Sequence, residues 1–450
     1  MTVSVSDATD RGFFGHPRGL STLFFTEMWE RFSYYGMRAF LILYMVAPVA
    51  AGGLGFSDAH AASVYGTYTG SVWAAAIFGG LIADRLLGQY RTVLVGGIII
   101  AAGHFTLAFK SLPSFYAGLG LIVLGTGCLK PNVSTLVGSL YAQGDKRRDA
   151  GFSIFYMGIN LGATLGPLIA GYLAQNVNWH IGFASAGVGM AFGVAQYVLG
   201  RERLRHGIAR LGPANERQGA GRERAGEFER RSSSISTDEW KRIFAIVFFF
   251  AAAVVFWGAY EQAGSTLNLF ADRYTRLEVF GFHFPSSWFQ SVQPIFVILL
   301  SPFFGWLWLR LGRSEPSVPA KFALGLLFMG LSFAVLIPAG SMAQSAAGIR
   351  VSPWFLVWAY FISELGELCV SPIGLSAVTK LAPLRIVGLM MGVWFLSNAF
   401  GNKLAGWAAG FFSTVPLQTL FWDVTVVLLI SAAVMFVLVK PIKTLMAGVL

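Results

Sequence analysis

Apolar runs long enough to cross a bilayer recur twelve times along the chain, at about 22–50, 59–86, 92–110, 113–141, 150–175, 179–199, 240–272, 286–310, 318–339, 352–380, 386–411 and 418–439. A spanning helix needs roughly 20 apolar residues, so each run predicts one span. Several runs are longer, which implies tilt or extension beyond the lipid. Nine ionisable side chains interrupt these runs: Glu27, Glu30, Arg31, Arg38, Lys130, Glu261, Glu364, Glu367 and Lys403. Charge at membrane depth costs about 3 kcal/mol or more per residue, so it persists where it faces a cavity and has a partner. Four of the nine crowd the first run. Positions 27, 30, 31, 34 and 38 share one helical face, placing two carboxylates, two guanidinium groups and Tyr34 on an inward polar stripe.

Composition agrees with an all-α polytopic membrane protein. Of 450 residues, 55% are hydrophobic and 12% charged, with a mean hydropathy of +0.62, against about 25% charged in a soluble protein. No cleavable signal peptide is expected, because the first 21 residues are polar and include Asp7, Asp10, Arg11 and Arg18. Of 33 Lys and Arg, 25 fall at the termini or in loops after even-numbered runs, and four (Lys110, Arg273, Arg276, Arg350) lie on the other side. The positive-inside rule then places both termini in the cytoplasm of a multi-pass protein of the cell membrane. The net charge of +11 thereby reads as a topology signal and gives no reason to invoke nucleic acid. Cys128 and Cys369 lie in different halves, which predicts neither a disulfide nor a metal site, and His60, His104, His180 and His283 show no metal-ligand spacing.

The longest polar interval, Gly200 to Glu239, is rich in Arg, Glu, Gly and Ser. It predicts a cytoplasmic linker over 200–239 between two six-helix bundles, 1–199 and 240–450. Ser236 to Glu239 offers N-cap chemistry for the seventh helix. Six plus six spans fit a secondary transporter built of two repeats, with a midplane site between them. The sequence Gly79-Gly80-Leu81-Ile82-Ala83-Asp84-Arg85-Leu86-Leu87-Gly88-Gln89-Tyr90-Arg91 resembles the loop motif of the major facilitator superfamily, which makes Asp84 and Arg85 candidate gate residues. Asp84 near a helix C-terminus is poorly placed for the helix dipole, so a cation or a facing helix N-terminus is expected to hold it.

Four further stretches narrow the resemblance. They are Glu27-x-x-Glu30-Arg31-Phe32-x-Tyr34-Tyr35-Gly36; Gly125-Thr126-Gly127-Cys128-Leu129-Lys130-Pro131-Asn132 with Phe155-Tyr156-Met157-Gly158-Ile159-Asn160-Leu161-Gly162; Phe256 to Ser265, containing Glu261; and Gly366 to Ser376, containing Glu367 and Ser371. Together they resemble the bacterial branch of the proton-dependent oligopeptide transporter family, across all twelve spans. The resemblance implies the major facilitator fold and proton-coupled import of di- and tripeptides by alternating access, with the proton as coupling ion and no other cofactor. The chain departs from the family in lacking two extra helices between the halves, in carrying Gln293 where Asn is frequent, and in carrying Trp73 where Tyr is common.

A di- or tripeptide zwitterion needs a cation at one end, an anion at the other, and amide or hydroxyl partners between. Arg38, by bidentate geometry, and Lys130, as a point charge, suit the carboxylate; Glu367 suits the ammonium. Tyr34, Tyr35, Asn160 and Gln293 are candidate backbone partners, Ser371 and Trp73 further contacts, and Trp394 an apolar side-chain wall. The resemblance implies the same roles for Arg38, Lys130, Asn160 and Glu367. Coupling needs a carboxylate whose partner comes and goes, since losing the partner raises its proton affinity. Glu261 with Lys130 is the expected pair, and Glu27, Glu30 and Arg31 a second proton-handling cluster. Arg31 also has the plainer, less favoured reading of a structural counter-ion to Glu27 and Glu30. Asp58 and Arg273 read either as an outer gate bridge or as solvated charges. The competing functions are a proton-coupled carrier of nitrate or a modified peptide, and a sensor without transport; no nucleophile–base set or cofactor motif supports an enzyme.

Overall fold

The computed structural model describes residues 10–142, 144–211, 236–345, 348–383 and 386–449. Much of the expected 200–239 linker, together with Asp7 and Arg385, lies outside these. Among the described residues twelve long helices follow one another, each close to an apolar run. They are Gly19–Val46, Asp58–Leu87, Gln89–Leu107, Leu112–Ser139, Arg148–Asn176 and Trp179–Leu199, then Thr237–Tyr274, Ser286–Leu311, Val318–Ala343, Trp354–Leu381, Val387–Ala409 and Leu417–Val437. We call them spans 1 to 12. Ten are long and apolar enough to cross a membrane by composition alone; spans 1 and 11 complete the set as helices of 28 and 23 residues. Span 7 starts on a reciprocal capping box, in which Ser236 Oγ accepts from the Glu239 N–H and the Glu239 carboxylate from the Ser236 N–H.

The chain forms two compact units, residues 1–40 with 71–227, and residues 41–70 with 228–450. This division differs from one made at the linker alone. The segment from the end of span 1 through the first half of span 2 joins the second unit, because its glycines meet span 11. A Cβ on Gly66 would press on Gly406, and one on Gly70 on the Ala399 carbonyl. Within the expected linker, Arg201–Leu211 is helical. It docks through buried Leu204 and through Arg210, which donates to the Ser139 carbonyl at 3.0 Å.

Two close approaches position the charged residues of the first unit. Pro131 lacks the N–H that the Gly127 carbonyl would otherwise receive in a helix. Gly79 of span 2 comes so near this carbonyl that a Cβ would overlap it, and Asn132 donates to the Gly79 carbonyl at 3.0 Å. Lys130 is thus carried on a helix whose break is sealed by span 2. In span 5, a Cβ on Gly162 would overlap the Met28 carbonyl and crowd Arg31 Cβ. Span 1 can bring its stripe against span 5 only while that position lacks a side chain. Gly162→Val should therefore lower the unfolding temperature of the purified protein, with about 1–3 kcal/mol of overpacking. Gly120→Val, at a glycine whose added Cβ would meet nothing beyond its own helix within 4 Å, should leave it unchanged. Equal melting of the two variants would contradict this packing account.

Candidate substrate and proton site

The first unit concentrates charge on span 1. Glu27, Glu30 and Arg31 are 2%, 0% and 3% exposed. Arg31 Nε lies 2.8 Å from Glu27 Oε1 and 2.7 Å from Glu30 Oε2, so one guanidinium bridges two carboxylates. The Glu27 contact is a directed hydrogen bond, whereas Glu30 is held by charge alone, and both its oxygens lack a hydrogen-bond partner among the described residues. One positive charge against two negative ones leaves the cluster one proton short of neutrality. Lys130 is close enough for its charge to act on Glu30.

Further along the same face, Arg31 lies 5.7 Å from the Tyr34 ring centre and Arg38 5.8 Å from that of Tyr35, while the two tyrosines meet edge to face at 5.2 Å. The Lys130 ammonium sits 3.1 Å from the centre of the Trp73 ring, an attraction between cation and ring quadrupole. Trp73 thus holds the lysine as well as adding bulk. Asn160 is buried one turn above Tyr156, whose carbonyl accepts from its amide at 3.0 Å. The structure brings Glu27, Glu30, Arg31 and Lys130 into one electrostatic group, and places Tyr34, Tyr35 and Arg38 next to it along the helix.

The second unit concentrates carboxylates. Span 7 changes from α to 3₁₀ over Glu261–Gly264, and Glu261, 5% exposed, opens that turn. Irregular backbone at depth needs outside partners. Gln290 of span 8 supplies one by donating to the Ala263 carbonyl at 2.7 Å, and Gln262 and Thr266 bond to each other across the break at 2.9 Å. In span 10, Glu364 and Glu367 are 0% and 6% exposed and one turn apart. The Tyr260 hydroxyl donates to Glu364 Oε1 at 3.0 Å, Gln293 bonds to Glu364 and, at 3.4 Å, to Ser363, and Ser371 bonds to Glu367. One oxygen of each carboxylate has no hydrogen-bond partner among the described residues. Gln293 and Ser371 therefore belong to the Glu364–Glu367 group. Trp394 is packed against Phe322 and Gly374, with 4% of its surface exposed.

These two groups carry a family identity that can be checked against known proteins. The POT family profile matches residues 90–211 and 220–426. The chain is 38% identical to a peptide transporter of Yersinia enterocolitica, over 99% of this chain and 98% of that one. It is 36% identical to a di-/tripeptide transporter of Lactococcus lactis, over 98% and 99%. Among solved structures, a mutant POT peptide transporter in complex with alafosfalin superposes with a TM-score of 0.89 at 41% identity, covering 98% of each chain. A POT family transporter in complex with 5-aminolevulinic acid gives 0.87 at 31%, covering 97% and 99%. The chain belongs to the POT family.

In this POT chain span 2 ends in a five-residue π turn, Ala83–Leu87. Asp84 there accepts from the Gln89 amide at 2.9 Å, so the side chain that opens span 3 serves it; Arg85 follows on the same turn. Asp58 and Arg273 pair in parallel, with both nitrogen–oxygen contacts at 2.6 Å, and Ser413 adds a hydroxyl to the same carboxylate. Lys403 of span 11 bonds Thr67 at 2.6 Å. Sequence reasoning missed Tyr260 and Gln290. Tyr260 stood inside a matched motif next to Glu261, and its phenol was the available signal; Gln290 had none beyond the polar start of span 8.

The Arg31 bridge yields a stability prediction. Arg31→Gln leaves two buried carboxylates without their shared cation, and should destabilise the protein by about 3–5 kcal/mol. Adding Glu27→Gln and Glu30→Gln should restore most of the melting temperature. A triple variant as unstable as Arg31→Gln would show that the cation's charge is not what matters.

Proposed function

We propose that this POT protein is a proton-coupled symporter of di- and tripeptides, working by alternating access with both termini in the cytoplasm. The observation that carries the reading is the segregation of charge. The first unit offers Arg38 and Lys130, suited to a carboxylate, and the second offers Glu367 with Ser371 and Gln293 beside it, suited to an ammonium and an amide. An anion-only carrier gains nothing from a buried carboxylate pair. The ligands named for two solved relatives, alafosfalin and 5-aminolevulinic acid, each carry an amine and an acid group, which supports the same division.

Coupling follows from competition for Lys130. A peptide carboxylate that engages the lysine weakens its hold on the acidic groups it faces, and a carboxylate deprived of its cation in a dry site takes a proton. Glu261 is the main proton carrier in this reading, and the Glu27–Glu30–Arg31 cluster shares the proton. One proton moving down 100 mV supplies about 2.3 kcal/mol, or close to fiftyfold accumulation of a neutral zwitterion. Asp58 and Arg273 act as one gate, and Asp84 and Arg85 as the other.

Labelled dialanine in proteoliposomes tests this. Uptake should rise above the internal concentration under an inward proton gradient and collapse without it; uptake indifferent to the gradient would overturn symport. Glu261→Gln should keep dialanine exchange while losing gradient-driven accumulation by about tenfold or more, and retained accumulation would remove Glu261 from the coupling step.

A further inference from the structure

A polar cavity in the second unit is lined by none of the candidate substrate, proton or gate residues above. It has a volume of about 570 Å³, belongs wholly to the second unit, and sits where span 9 begins and span 10 ends, beside the terminal helix Val439–Leu445. Lys321, Lys380 and Lys443 line it, with Glu315, Ser317 and Ser376. Three lysines against one glutamate leave two positive charges. The six lysines after residue 228 are Lys241, Lys321, Lys380, Lys403, Lys440 and Lys443, so half of them converge here. The general topology bias explains their side of the membrane and leaves their gathering around one cavity unexplained.

The three lysines are held differently. Lys321 is 3% exposed, stacked 4.2 Å from the Trp308 ring centre and paired with Glu315. Lys380 and Lys443 occupy the last turns of their helices and reach solvent. Ser317 is the N-cap of span 9, yet its hydroxyl makes no capping bond and stays available. The walls also include Val318, Ile373 and Met446, so polar and apolar surfaces meet in one cup at the edge of the lipid. Basic pockets between transmembrane helices on the cytoplasmic side suit acidic phospholipid headgroups.

We propose that this cup binds a phosphate ester, supplied by the headgroup of an acidic phospholipid. Lys380 and Lys443 meet the phosphate oxygens, Ser317 and Ser376 donate hydroxyls, and the apolar wall takes the glycerol and first methylenes. Lys321, already paired, adds field without needing to move. Free phosphate shares the anionic chemistry and lacks the apolar part, which separates the two sources.

The test uses the full chain, delipidated in detergent and titrated at fixed ionic strength with phosphatidylglycerol, phosphatidylethanolamine or inorganic phosphate, read by native mass spectrometry and thermal shift. Phosphatidylglycerol should bind in preference to phosphatidylethanolamine. Lys380→Gln with Lys443→Gln should weaken it about thirtyfold, from about fivefold per lysine, while phosphatidylethanolamine binding and the melting temperature without added lipid hold. Ser376→Glu, which puts a carboxylate on the cup, should act in the same direction without removing a lysine. Saturable phosphate binding that abolishes the preference for phosphatidylglycerol would keep the anion site and assign it to free phosphate. Equal phosphatidylglycerol affinity in the wild type and both variants would overturn the proposal.

Discussion

The bridge from Arg31 to Glu27 and Glu30 is the constraint on which the first unit depends. Three charges are buried at under 4% exposure, and burying each unpaired would cost several kcal/mol. The three side chains share one face of span 1 by their spacing, so burying that face within the first unit is what fixes the helix's rotation. Fixing that rotation also sets Tyr34, Tyr35 and Arg38 on the same face, since they follow at helical spacing. The glycines of span 5 then matter because span 1 must lie close there; Gly162 and Gly166 face the Met28 and Phe32 carbonyls. Charge satisfaction and close packing are two aspects of one geometry.

The second unit solves a different problem. Its span 10 buries Glu364 and Glu367 with hydroxyl and amide partners rather than with a cation from a neighbouring turn. Such partners stabilise a carboxyl group without fixing its charge. A permanent ion pair, by contrast, would hold it ionised. In span 7 the break lets Glu261 start a turn whose loose carbonyl, at Ala263, is met by Gln290.

Much of this was legible in the sequence. Twelve apolar runs correspond to the twelve long helices because hydrophobic length is a strong, local signal. The stripe on span 1 was readable from spacing alone, as was the N-cap chemistry that opens span 7. What escaped were features that depend on contacts distant in sequence. The grouping of residues 41–70 with the second unit rests on glycine faces meeting span 11, which no local pattern encodes. The Asp58–Arg273 pair was one of two open readings, since proximity across 215 residues is not written in either segment. The helix Arg201–Leu211 was hidden because its Arg-rich composition outweighs the few apolar positions that dock it. Trp73 was read as a further contact standing where Tyr is common, and only its stacking on Lys130 shows what the ring does.

The central claim is that recognition requires both a carboxylate and an ammonium on the substrate. Competition of labelled dialanine uptake by blocked analogues measures it most directly. N-acetyl-dialanine and dialanine amide should each compete at least tenfold more weakly than dialanine, the first through loss of its partner at Glu367 and the second at Arg38 and Lys130. Glu367→Ala should abolish the distinction between dialanine and its acetylated form while preserving that between dialanine and its amide. Equal competition by dialanine and both blocked forms in the wild type would contradict the account.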